Sequence, residues 1–144
     1  MNRYVLIETA YKTGYSIVIQ VLDTEEAMPT TQPDGVSGSW LDVTGDTTAQ
    51  VGWKAQYFFD RGWVFTEPTH EEYLILTSAR MQKRFDEAAR WLMFNPLQYK
   101  VDLGLATSAD EAVLLAYKQY VVAVSEVKNQ PGYPSTINWP VAPW

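Results

Sequence analysis

Val51-Gly-Trp-Lys-Ala-Gln-Tyr-Phe-Phe59, Asp60-Arg-Gly62, Trp63-Val-Phe65 and then Glu67-Pro-Thr-His-Glu-Glu72 carry the chain from a strand pattern into a helix pattern. Trp53, Ala55, Tyr57 and Phe59 alternate with Lys54, Gln56 and Phe58, which gives a strand one aromatic face and one mixed face. Gly62 can take the positive φ of a short hairpin loop, so Trp63-Val-Phe65 reads as the returning strand. Packed as a small sheet, Trp53, Tyr57, Phe59 and Trp63 are expected in its core. Thr69-His-Glu-Glu72 has the form of a capping box, with a hydroxyl for an early amide and a carboxylate reaching back. A helix is predicted from there to about Phe94, with Leu74, Ser78, Met81, Phe85, Ala88 and Leu92 as its stripe.

Upstream, Tyr4-Val-Leu-Ile-Glu-Thr9 and Tyr15-Ser-Ile-Val-Ile-Gln-Val-Leu22 are rich in β-branched and aromatic residues and predict a hairpin across Gly14. Pro29 to Ser39 lacks an apolar period and reads as an exposed loop, and strand character resumes at Trp40-Leu-Asp-Val43. Downstream, Asn95-Pro-Leu-Gln98 reads as a new helix start, with Asn95 as N-cap, Pro96 at the first helical position and Gln98 as box partner. That short helix carries Leu97 and Val101 and stops at Gly104. Ser108-Ala-Asp-Glu111 predicts a third capping box, and Val113, Tyr117, Tyr120, Val124 and Val127 form the stripe of a helix that Pro131 closes. The last residues, through Tyr133, Ile137, Trp139 and Trp144, contain too many prolines for helix or central strand and predict an extended arm. The fold class is α+β: antiparallel hairpins over 1–68, a helical module with an intervening short helix over 69–130, and the arm over 131–144.

The 144 residues suffice for a core without staples, since folding at this length removes roughly 70% of the unfolded chain's surface. The absence of cysteine excludes a disulfide scaffold, a thiolate zinc site and a cysteine nucleophile, and leaves the redox compartment open. A net charge of -6, most of it in residues 1–68, has the wrong sign for a protein held on nucleic acid or anionic lipid. Met1 to Glu8 offers too few apolar residues for a signal-peptide core, and no apolar run has the length of a membrane span.

Candidate chemistry is sparse. His70 is the single histidine and lies in a helix's first turn, where a solvated side chain is the ordinary state. Asp42, Asp46 and Asp60 are candidates for paired glycosidase acids, yet their neighbours mark them as turn residues. Nucleotide-binding and common hydrolase motifs are missing, and no cofactor or metal is expected. Arg80, Lys83, Arg84 and Arg90 with Trp91 could form a nucleic-acid strip, but Glu71, Glu72, Asp86 and Glu87 share the helix and make it a solvated face. The excess is aromatic: six Trp, nine Tyr and five Phe. Trp139 and Trp144 lie on an arm with little core of its own, so each must pack on the helices or on a partner.

Pro96-Leu97-Gln98, Val101-Asp102-Leu103-Gly104-Leu105-Ala106-Thr107, Tyr117-Lys118-Gln119-Tyr120 and Ile137-Asn138-Trp139-Pro140 stand in an order that resembles the tail fibre assembly proteins of tailed bacteriophages. The resemblance is strong over 96–140, weaker over the aromatic hairpin of 51–68, and does not place residues 1–39. Tyr117 stands where that pattern has Trp, and Val121 where Arg follows the Tyr. The resemblance implies a non-enzymatic chaperone or adaptor in the bacterial host cytoplasm, with the C-terminal tip of a trimeric tail fibre protein as partner. Tyr117, Tyr120, Tyr133, Ile137, Trp139 and Trp144 are the residues expected at the partner surface. The alternative is a lasting component of the fibre tip that touches cell-surface glycan; a small glycan-active enzyme is the foil. Whether the chain forms a homo-oligomer is left open.

Overall fold

The computed structural model describes residues 1–144. The chain forms two compact units, Met1–Glu72 and Tyr73–Trp144. The first is a five-stranded antiparallel sheet of β1 (Asn2–Thr9), β2 (Ser16–Thr24), β3 (Ser39–Asp42), β4 (Lys54–Phe58) and β5 (Gly62–Thr66), in the order β3-β1-β2-β4-β5. β1 is an interior strand between β3 and β2, and its run Tyr4-Val-Leu-Ile7 is buried on both faces, which is why it is continuously apolar instead of alternating. One face carries the core of Val5, Ile7, Val18, Val43, Ala49, Ala55 and Phe65. Arg3 ties the 43–49 loop to it: Thr44 Oγ1 accepts from the Arg3 amide, and Arg3 Nη2 donates to the Ala49 carbonyl at 3.0 Å. The 29–38 segment is an exposed loop, as its composition predicts, and the expected hairpins form at β1–β2 and β4–β5.

A β-bulge at Ile19 separates the Leu6–Gln20 pair from the Ile7–Val18 pair. β4 joins β2 only at Ser16 and Ile17, with backbone bonds from Val18 N to Trp53 O and from Gly52 N to Val18 O extending the contact. From Gln56 onward the β4–β5 hairpin therefore runs past the start of β2. This corrects part of the aromatic core. Trp53 and Trp63 pack half-buried against it, whereas Tyr57 and Phe59 are 63% and 100% exposed because no strand lies beside their end of the hairpin. Gly62 has the expected positive φ, 72°.

α1 (His70–Phe94) starts at the predicted box: Glu72 N donates to Thr69 Oγ1, and Thr69 N donates to Glu72 Oε1. Lys54 pairs with the same carboxylate. The stripe differs from expectation at one turn, where Ser78 is exposed and Thr77 buried, its hydroxyl donating to the Pro134 carbonyl at 2.8 Å. α2 (Leu97–Asp102) is not capped by Asn95. Asn95 Nδ2 donates back to the Trp91 carbonyl, Pro96 takes the cap position without a side-chain bond, and Gln98 reaches forward to Asp102. α3 (Ser108–Ser125) starts one residue earlier than read: Thr107 is the cap, and Asp110 completes the box. Leu114 is buried in α3 while Val113 is 39% exposed. The α-helix ends at Ser125, and Val127–Asn129 is a separate 3₁₀ turn ahead of Pro131. The arm is less extended than predicted, since Pro131–Ser135 is a run of turns held by Tyr133 N to Gln130 O and Thr136 N to Gly132 O.

Candidate partner-binding surface

The arm folds back on its own unit. Gln130 clamps it with both ends of its amide, Nε2 donating to the Asn138 carbonyl and Oε1 accepting from the Asn138 amide, each at 2.8 Å. Trp139 then packs beside the cluster of Ala88, Tyr120 and Val124, with the Arg84 guanidinium 4.0 Å above its ring. Arg84 also donates to the Arg80 carbonyl, and its burial lowers its pKa from the ordinary value. The terminal Trp144 stacks on Trp91 at 5.0 Å and lies 6.0 Å from Tyr117, with Tyr120 edge-on at 5.2 Å. Burial raises the pKa of both tyrosines.

Four of the six residues expected at a partner surface, Tyr117, Tyr120, Trp139 and Trp144, thus gather around one cluster. Tyr120 is buried within it, while Trp144 stays 41% exposed and leaves part of the stack open. Tyr133 and Ile137 are half-buried along the arm.

A second apolar surface lies at the α1–α2–α3 elbow, a stretch the sequence predicts as a short helix but not as a partner surface. Met93, Phe94, Tyr99, Leu103 and Leu105 are each between 68% and 75% exposed. Tyr99 and Leu103 are four residues apart and share a face. α2 has six residues and buries only Leu97, so the rest of its apolar content has nowhere to go. Gly104, at φ 71°, ends it in a Schellman turn, with Leu105 N donating to Lys100 O and Gly104 N to Val101 O. A signal was present in the sequence: residues 93–105 hold six large apolar or aromatic side chains besides Leu97, counting Val101, against one lysine and one aspartate.

The carboxylates weighed as catalysts are in turns. Asp42 Oδ1 accepts from the Thr44 amide and hydroxyl, bonds that lower its pKa, and Asp46 Oδ1 accepts from Thr48 and from the Ala49 amide. Asp60 faces Arg61 at 3.7 Å, and His70 is exposed at the first residue of α1. No three His, Asp or Glu side chains group as metal ligands, and no helix is long and apolar enough to cross a membrane.

An antiparallel sheet unit followed by a helical unit with a clamped aromatic arm makes this an α+β protein whose conspicuous surface features are apolar. The chain belongs to the Caudovirales tail fibre assembly protein family, lambda gpK, whose model matches residues 16–144. The match takes in β2 and the loop that follows, well upstream of the sequence words that carry the resemblance. No curated protein and no solved structure matches the chain. The family is one of phage assembly, and its description names the tail fibre as the object assembled.

Proposed function

We propose that this protein is a non-catalytic chaperone that binds the C-terminal end of a tail fibre in the infected cell and promotes assembly of the fibre trimer. The observation that carries the reading is the exposed elbow: five large apolar side chains at 68–75% exposure, on a helical unit whose Tyr120 and Trp139 pack inward. Fibre chains must meet before they can bury their shared interface, and uncovered strands meanwhile risk aggregation. An apolar surface that covers them until the trimer closes suppresses that loss without chemistry. The partner surface comprises the elbow and the open side of the aromatic stack at Trp144 and Tyr117, with Tyr120, Trp139, Ile137 and Tyr133 holding the arm beside it.

The test uses Tyr99→Ser and Leu103→Ser together. Both side chains are about 70% exposed, so the variant is expected to keep its melting temperature and lose co-elution with the fibre. Retained co-elution contradicts the assignment of the elbow.

One feature favours retention at the fibre tip with glycan contact. An open depression of about 280 Å³ is lined by Tyr15, Tyr57, Lys54 and Gln56 among others, which sets two tyrosines beside hydrogen-bonding groups. On that reading the protein co-purifies with mature particles; a transient chaperone does not.

A further inference from the structure

The β4–β5 hairpin is an unfinished piece of sheet. Beyond Ala55 it has lost β2 as a neighbour, and two strands alone are marginal in water, where a third is the usual remedy. Its projecting end is aromatic: Tyr57 is edge-on to its cross-strand partner Trp63 at 5.6 Å, Arg61 lies 4.2 Å over Phe58, and Phe59 is fully exposed.

The two outer strands of the sheet differ. β3 has four residues and is flanked by a strapped loop, in which Trp40 Nε1 donates to the Thr31 carbonyl and Gln32 Nε2 to that of Gly38. It ends in Asp42, closed on Thr44. These features blunt an edge. β5, Gly62-Trp-Val-Phe-Thr66, has no proline, no charge and no break in its register with β4. A regular, uncharged outer strand accepts another strand by main-chain hydrogen bonds.

Charge selects the occupant. Residues 1–72 hold eleven acidic and four basic side chains, a net of -7. Three of those cations already face carboxylates of the same unit, Arg3 at Asp23, Lys54 at Glu72 and Arg61 at Asp60. A second copy would bring -7 against -7, whereas a segment with Lys or Arg meets a complementary field. We propose that β5 takes up an extended segment of the fibre chain as a sixth strand, apolar at alternate residues and basic where charged. This rests on the fibre-binding reading above.

The test is peptide-resolved amide hydrogen exchange on the full chain, alone and in complex with the co-expressed fibre protein. Peptides covering Gly62–Thr66 are expected to exchange about tenfold more slowly or better in the complex, with Ser39–Asp42 unchanged. A complex that forms without slowing at β5 overturns the strand-addition proposal and leaves fibre binding standing. Absence of any complex overturns both. Slowing at β5 in the free protein as its concentration rises assigns the edge to a second copy and overturns the proposal as well.

Discussion

Thr77 is the residue whose role is least visible in the sequence. It occupies a helix position where a hydroxyl carries no periodic signal, and its partner, the Pro134 carbonyl, lies 57 residues downstream. Thr77→Val preserves shape but leaves that carbonyl without its donor, and the expected loss is about 1–3 kcal/mol by urea unfolding; an unchanged midpoint contradicts the bond's role. Trp139, by contrast, is recognisable as an aromatic on an arm without a core. What the sequence leaves open is whether it faces the helices or a partner, and the Arg84 guanidinium above its ring places it on the helices. Trp139→Ala is expected to cost about 2–4 kcal/mol, less than a fully buried Trp, because the ring is only partly covered. Glu72 gives a pH signature. The hydrogen bond from Lys54, followed by that from the Thr69 amide, holds its carboxyl below the ordinary value of 4.5. Its contribution is therefore fully present above about pH 4.5 and lost as pH falls through the lower folded value. Glu72→Gln is expected to flatten this part of the acid limb of stability against pH; an acid limb identical to that of the parent protein contradicts it.

Among the elements, α1 and its cap were legible because one hydroxyl and one carboxylate stood at the required spacing. The start of α3 was ambiguous for a physical reason: Thr107 and Ser108 are adjacent hydroxyls, each with an acid three residues on. The backbone decides between them, since Thr107 has the extended φ -83°, ψ 168° of a cap and Ser108 is already helical. Thr107→Ala is expected to lower stability by about 1 kcal/mol while Ser108→Ala changes little; the reverse order would restore the later start. The hairpin shows another limit of pattern. Alternation put Tyr57 on the same face as Ala55, but not which residues have a neighbouring strand, and β2 begins too late to cover Tyr57. The elbow was missed because α2 was read by its two spaced apolar residues, Leu97 and Val101, of which Leu97 is buried and Val101 is 37% exposed.

Across the whole molecule, charge and apolar exposure are unevenly divided. Residues 1–72 carry the net of -7, while residues 73–144, with six acidic and seven basic side chains, hold the elbow and the clamped arm. The fold class follows from the change of period between Val51 and Glu72, and the family from words concentrated after Pro96. The N-terminal strands, which the family model includes from Ser16, are generic enough in composition that no short motif marks them. On the proposed reading this chain contributes surfaces to fibre assembly, so the direct measurement is of assembly itself. A tail fibre protein is expressed with and without this protein, and soluble trimer is compared alongside a search for a co-eluting complex. The account predicts several-fold more soluble trimer when the protein is present, and a complex that contains both chains. Equal soluble trimer in the two cases, with no complex, would contradict it.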